Sequence, residues 1–494
     1  MSQVIALQQL LTAVDIDARS SLDVSGVAVD TRELQSGDVF IALRGQREHG
    51  LRHAPAAVAR GAIAIVAELP LPADVSAPDN VPLFVQSDLR QRTGKLADIA
   101  YGQPSAALNI VGVTGTNGKT SVVQFIAQAA TRCGVKPATQ GTLGAGLLGH
   151  LHPQERTTPD VCTTHRFLAE MLADGVDLVA MEVSSHALDQ GRVDAVRFDV
   201  AVFTQLTRDH LDYHGSMDAY FDAKSRLFAW PELRAAVINL DDSYGQRLLR
   251  QLPSRVKAIT YSALGDASAS LAASDILLDA NGLAFDLRID AARYAIRTDL
   301  IGRFNVDNLL AATAALLALD IPADAAVEAI SSLRPVPGRM NRLGGGDQPL
   351  VVIDYAHTPD AIAKALSTLS EHAPSALSIV FGCGGERDRG KRAQMAAAAE
   401  AVADRIYVTD DNPRGESGDA IVADIRAGFV RPAQAIYQRD RRAAIERAIG
   451  DAAATDIVLI AGKGHESYQE IDGLRVAFDD YAVAADVLAA RRAA

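Results

Sequence analysis

Four things are scarce in this sequence, and each scarcity narrows what the chain can be. Positive charge is the first: 48 Lys and Arg stand against 61 Asp and Glu, a formal net charge of −13. No basic surplus is available to neutralise a phosphate backbone, so no nucleic-acid partner is expected. Small anionic substrates stay open, since they need only a few local Lys and Arg. Cysteine is the second: Cys133, Cys162 and Cys383 lie far apart without metal-ligand spacing, which argues for a reducing compartment. Third, the start Met1-Ser2-Gln3-Val4 has no basic segment of a secretory leader, and none is expected. Fourth, the longest apolar run, residues 309–319, is too short to span a bilayer and reads as a buried helix. A cytoplasmic monomer without membrane insertion is the expectation.

What is present is ordinary globular composition, 48% hydrophobic and 22% charged, over 494 residues, which is too long for one core. Three α/β parts are expected. Residues 1–88 carry strand-like runs at 27–29, 39–43, 63–66 and 83–85, with helix-like stretches at 3–11 and 54–60. Residues 89–334 carry apolar runs at 110–113, 178–182, 200–204 and 236–239, which suit a mostly parallel sheet covered on both faces. Residues 275–297 alternate and read as an antiparallel extension, and 305–319 as a helix. Residues 335–494 carry strand candidates at 351–353, 378–381, 405–408 and 457–460, each followed by a polar loop. That rhythm predicts a doubly wound sheet with its site along the carboxyl edge.

The densest chemistry lies in Gly112-Val113-Thr114-Gly115-Thr116-Asn117-Gly118-Lys119-Thr120-Ser121. A strand, a Gly-rich turn and a helix start make a phosphate cradle, with Lys119 for the β/γ-phosphates and the Thr120 hydroxyl for Mg²⁺. The strict P-loop pattern wants Gly where Val113 stands. Glu182, at the end of a buried strand, is where a nucleotide-binding domain holds Mg²⁺. Thr207-Arg208-Asp209-His210-Leu211-Asp212-Tyr213-His214 packs five ionisable side chains into eight positions near the same edge. Lys224, by residue type alone, reads as a solvated helix-face lysine. Further on, Pro337-Gly338-Arg339 offers an arginine for a transferring phosphoryl group. Asp411-Asn412-Pro413-Arg414 pairs a carboxylate with a guanidinium, and Arg387 and Glu466 repeat that polarity. Asp for an ammonium and Arg for a carboxylate describe an amino-acid pocket.

These residues together resemble the Mur ligases of peptidoglycan synthesis, most closely those of the MurE type, over the whole chain. Thr114 to Thr120 is similar to the family's ATP loop, including its departure from the strict pattern. Met181-Glu182-Val183-Ser184-Ser185-His186 and Arg208-Asp209-His210-Leu211-Asp212-Tyr213-His214-Gly215 are similar to its central signatures. Asp354-Tyr355-Ala356-His357-Thr358-Pro359 and Gly462-Lys463-Gly464-His465-Glu466 are similar to its C-terminal ones. Asp411-Asn412-Pro413-Arg414 resembles the motif of enzymes that add meso-2,6-diaminopimelate. Lysine-adding relatives do not keep its arginine.

The resemblance implies an ATP-dependent ligase that adds diaminopimelate to UDP-N-acetylmuramoyl-L-Ala-D-Glu through an acyl phosphate, with L-lysine as the alternative acceptor. A nucleotide switch without ligase chemistry is the rival from another class. Val29, Thr31, Gln46, Arg47 and Glu48 would hold the uridine end. Thr157, Thr158, Ser184, Gln190 and Arg192 would contact the muramoyl-dipeptide. Gly115 to Ser121, with Asn305, Asn308, Arg339 and Asp354, would surround ATP. Lys224 would be carbamylated and join Thr120, Glu182 and His210 around Mg²⁺. Arg387, Asp411, Asn412, Pro413, Arg414, Gly462 and Glu466 would line the diaminopimelate pocket.

Overall fold

Apolar runs that end in polar loops pair in parallel throughout the larger sheets of this computed structural model. It describes residues 4–45, 47–76, 78–279, 282–338, 340–372, 375–464 and 466–493. Two compact units are present, Met1–Ala272 with Asp307–Ile330, and Ala273–Val306 with Ser331–Ala494. No helix among the described residues is long and apolar enough to cross a membrane.

The first unit opens with a four-stranded parallel sheet, Gly26–Ala28, Asp38–Ala42, Ala64–Glu68 and Leu83–Gln86 in that order. The expected helix at 3–11 is shorter, Leu7–Thr12, because Ile5–Ala6 pairs antiparallel with Asp23–Val24. Gln3 itself lies outside the described residues. The helix Leu89–Ala100 buries Leu89, Leu96 and Ala97 in the same core as Val27, Val39 and Ile41.

The unit's larger sheet carries Pro137–Gly141, Leu178–Glu182, Asn109–Thr114, Val200–Phe203, Ala235–Asn239 and Lys257–Ser262 in parallel, with Gly144–Leu147 and His150–His152 added antiparallel beyond Pro137–Gly141. Every residue of Leu178–Glu182, Val200–Phe203 and Ala235–Asn239 is buried, which is why these strands read as unbroken apolar runs. Pro137–Gly141 escapes sequence reading, since Pro-Ala-Thr-Gln-Gly carries no apolar run, yet it is buried between neighbours. Parallel register sets Glu182 opposite Val113, and Phe203 opposite Thr114. The carboxyl ends of three central strands therefore meet at the glycine-rich turn.

In the second unit the alternating segment forms the antiparallel hairpin Gly282–Ile289 and Ala292–Thr298. A six-stranded sheet follows, in the order Asn341–Gly344, Leu350–Asp354, Ile457–Ala461, Leu377–Phe381, Arg405–Val408 and Ile436–Tyr437. Only its first strand is antiparallel. Ile379 and Leu459 face one apolar layer, while Val380, Val458 and Ile460 face another, so both sides of the sheet are covered. The parallel-rich α/β architecture expected from sequence is the architecture the chain adopts.

Candidate active site

The turn between Asn109–Thr114 and the helix Lys119–Arg132 is shaped by two glycines. Gly115 has φ +146°, and a Cβ there would collide with Thr204 Oγ1. Gly118 has φ +87°, and a Cβ there would come within 2.7 Å of Asn308 Oδ1. Neither position admits a side chain, so the irregular spacing of the motif still folds as a cradle. Thr204 Oγ1 donates to Asn117 O at 2.6 Å and Thr207 N to Thr116 Oγ1 at 3.0 Å, tying the loop to the neighbouring strand end. Thr120 and Ser121 are buried in the first helical turn.

Lys119 Nζ donates to Gly115 O and Thr116 O, both at 2.9 Å, folding back over the turn. Lys224 is not the solvated lysine that its residue type suggests. It is 1% exposed, and its Nζ donates to the same Gly115 O at 2.8 Å. Its side chain reaches inward from the helix Met217–Ser225 and lies 4.7 Å from the centroid of the Tyr220 ring. Burial, then the Lys119 charge, holds its pKa well below the ordinary lysine value. The His210 ring sits 6.0 Å from the same Tyr220 ring and 4.9 Å from His186, with backbone φ +52° at the start of a short helix.

Glu182 is 1% exposed and turned towards Thr142, accepting from its N at 2.8 Å and its Oγ1 at 3.3 Å. No hydrogen bond or ion pair among the described residues ties it to Thr120, His210 or Lys224. No three His, Cys, Asp or Glu side chains converge among the described residues. Thr158 is brought close instead: its Oγ1 donates to Glu182 O at 2.8 Å and accepts from Ser184 N at 3.2 Å. Arg192 donates to Thr158 O at 3.0 Å and to Gln190 Oε1 at 2.5 Å, and Thr157 Oγ1 lies 3.1 Å from Thr142 Oγ1. Thr157, Thr158, Ser184, Gln190 and Arg192, scattered in sequence, thus form one connected patch beside Glu182.

Arg32 pairs with Glu155 at 3.0 Å and so links the turn after Gly26–Ala28 to the loop before Thr157. A cavity of about 400 Å³ opens there, lined by Asp30, Arg32, Arg156, Asp160 and Arg166 among others. Val29 packs partly into the first core, Thr31 is half-buried, and Arg47 and Glu48 are exposed. Gln46, Arg339 and His465 lie outside the described residues.

In the second unit, Asp354 accepts from Met340 N at 3.0 Å and Ala356 N at 2.9 Å, and Asn305 Nδ2 donates to Ile301 O at 2.8 Å. The loops after three strands meet around Asp411 to Arg414. Asn412 Nδ2 donates to Glu466 Oε2 at 2.9 Å, and Gly462 N donates to Asp354 O at 3.2 Å. Asp411 is buried, which pushes its pKa up, while Arg441 and Lys463 oppose that shift. Pro413 O accepts from Glu416 N at 3.1 Å, turning the chain so that Arg414 adopts φ +53°. Arg414 N donates to Glu470 O at 2.9 Å, Asp472 N donates to Arg414 O at 2.7 Å, and its Nη1 donates to Gly385 O at 2.9 Å. The hairpin Tyr468–Ile471 and Leu474–Ala477 thereby grips the backbone of Arg414. Arg387 is exposed in the neighbouring loop.

Sequence reading missed Thr142, Tyr220, Lys463, Glu470 and the Arg441–Asp480 pair, whose Nη2–Oδ2 distance is 2.6 Å with both side chains fully buried. Only Lys463, inside a quoted motif, carried a local signal.

Residues 113–316 match the Mur ligase middle domain, and 338–464 match the Mur ligase glutamate ligase domain. A protein of Xylella fastidiosa (strain Temecula1), called UDP-N-acetylmuramoyl-L-alanyl-D-glutamate--2,6-diaminopimelate ligase, is 55% identical over 494 residues, covering 100% of this chain and 99% of that relative. A solved structure of a ligase with that name superposes with TM-score 0.75 at 37% identity, over 99% of this chain and 100% of its own. MurF ligase from Thermotoga maritima, solved in complex with ADP, shares the fold with TM-score 0.61 at 19% identity, over 88% and 93% of the two chains. The chain belongs to the Mur ligase family, among the ligases that bear the name of the Xylella relative.

Proposed function

We propose that this protein is an ATP-dependent amide ligase. It joins meso-2,6-diaminopimelate to the γ-carboxylate of the D-glutamyl residue in UDP-N-acetylmuramoyl-L-Ala-D-Glu, in peptidoglycan precursor synthesis. The reading is supported by full-length likeness to relatives of that name. The observation that carries the acceptor is Arg414, held by the hairpin on the same loop as the Asn412–Glu466 pair. A planar guanidinium, its Nε 3.7 Å from Glu470 Oε2, set beside carboxylates suits an acceptor end bearing both a carboxylate and an ammonium.

In this reading residues 1–88 hold the uridine end through Val29, Thr31, Gln46, Arg47 and Glu48. Residues 89–334 hold ATP on Gly115 to Ser121, with Asn308, and the dipeptide on Thr157, Thr158, Ser184, Gln190 and Arg192. Residues 335–494 take diaminopimelate on Arg387, Asp411 to Arg414, Gly462 and Glu466, while Arg339 and Asp354, with Asn305, complete the nucleotide site. Lys119 releases the Gly115 and Thr116 carbonyls and donates to the phosphates. The γ-phosphoryl passes to the substrate carboxylate, giving an acyl phosphate and ADP. The acceptor amine attacks the acyl carbon, loses its proton to solvent, and phosphate leaves. No enzyme nucleophile is needed, so catalysis is positioning and charge stabilisation.

Mg²⁺ takes one or two protein oxygens and fills its shell with substrate phosphates and water. The buried Thr120 hydroxyl and Glu182 carboxylate fit that donor set. His210 and Lys224, the latter as a carbamate, are the further proposed ligands. When bound, the ion offsets charge on the phosphates. The protein works in the cytoplasm as a monomer.

The test is phosphate release from ATP with UDP-N-acetylmuramoyl-L-Ala-D-Glu and one amino acid at a time. Stimulation by diaminopimelate well above L-lysine is expected. Equal stimulation by lysine, or turnover indifferent to any amino acid, would overturn the assignment.

A further inference from the structure

Lys463 is fully buried, an uncommon place for an ammonium unless every proton is used. Its Nζ donates to Asn412 Oδ1 at 3.0 Å and lies 3.5 Å from Glu466 Oε2. It also sits 5.6 Å from the centroid of the Tyr468 ring. Among the described residues its ammonium is thus engaged by Asn412, Glu466 and Tyr468.

The consequence falls on Asn412, itself buried. A side-chain amide can usually be turned over, exchanging its oxygen and nitrogen. Here the oxygen accepts from two groups that can only donate, Lys463 Nζ and Glu470 N, each at 3.0 Å. The amide nitrogen is thereby forced towards Glu466, to which it donates at 2.9 Å. That bond spends one of its two N–H groups and fixes one carboxylate oxygen of Glu466. Among the described residues the other N–H and the other oxygen meet no protein partner, which leaves them for a ligand.

We propose that Lys463 is a positioning residue for the acceptor, acting through Asn412 to fix the polarity of the amide and the aim of Glu466. This rests on the function proposed above and deepens it. Without the ammonium, Asn412 Oδ1 keeps only the Glu470 N–H, the amide is free to turn, and Glu466 loses the cation 3.5 Å from its carboxylate. Orientation of the acceptor is what should suffer, while the nucleotide and sugar-nucleotide ends, held by other residues, should not.

The experiment is steady-state kinetics of Lys463→Met in the full chain, with Lys463→Gln as a milder second variant and melting curves for both. The KM for diaminopimelate should rise at least tenfold in Lys463→Met and less in Lys463→Gln, which keeps a donor. KM for ATP and for the UDP-substrate should stay within about twofold. In the Asn412→Ala background, Lys463→Met should add little further loss, because the two act through one contact. An unchanged diaminopimelate KM in a folded variant, or fully additive losses in the double variant, overturns the proposal. If wild-type protein is not stimulated by diaminopimelate at all, the parent reading fails instead, and the two outcomes are told apart by that control.

Discussion

Two lysines are buried at the carboxyl edges of two sheets, one in each compact unit, and they face opposite surroundings. Lys224 shares a backbone carbonyl with Lys119, so two lysine side chains converge on one neutral acceptor. Lys463 meets an amide oxygen and a carboxylate, with Asp411 also in its field. Two lysines at one carbonyl suit the anionic polyphosphate proposed for the first edge. The second holds the ion pairs Lys463 with Glu466, Arg441 with Asp480 and Arg439 with Asp410, which suit the zwitterionic acceptor proposed for it.

The contrast can be broken most sharply at Lys119. Lys119→Ala should lower turnover in the full assay by about 10²–10³-fold, the scale of a lost charge stabiliser, with the melting curve little changed. Next is Asp480→Ala, which strands the buried Arg441 guanidinium. It should cost about 3–5 kcal/mol in denaturant unfolding, and a loss near zero would remove the claim that the second edge depends on internal pairing. Arg414→Ala should cost about 2–3 kcal/mol in acceptor recognition, a drop of tens- to about a hundredfold in kcat/KM for diaminopimelate. The value for lysine should barely move.

The smallest effect is a pH dependence. Burial and Lys119 place the Lys224 pKa below its ordinary 10.5. Between those two values the unfolded chain binds more protons than the folded one, so stability rises with pH across that window. Lys224→Met lacks this term. Its melting temperature should therefore climb less than that of wild type as pH is raised towards 10.5, and parallel curves would show that Lys224 is not held neutral.

Much of this was legible in order along the chain. Gly115, Gly118 and Lys119 are neighbours in sequence, so the turn that needs positive φ and the cation that serves it are read together. The buried strands 178–182 and 200–203 were legible because burial on both faces leaves an unbroken apolar run. Polarity hid Pro137–Gly141, and distance hid the contacts that complete the sites. Thr142 lies 40 residues from Glu182, Lys463 lies 51 from Asn412 and Asp480 lies 39 from Arg441. Lys224 was misread because its helix has weak apolar periodicity, and only packing shows that its side chain turns inward.

The hairpin at Tyr468–Ala477 bears on how acceptor choice could be moved between enzymes. Arg414, in the left-handed backbone of the Pro413–Glu416 turn, is also held by main-chain bonds with Glu470 and Asp472. Grafting the four-residue motif alone into another ligase would import the guanidinium without its mount. The exchangeable unit is the motif together with the hairpin, two segments far apart in sequence that would have to be inherited, or engineered, as one cassette.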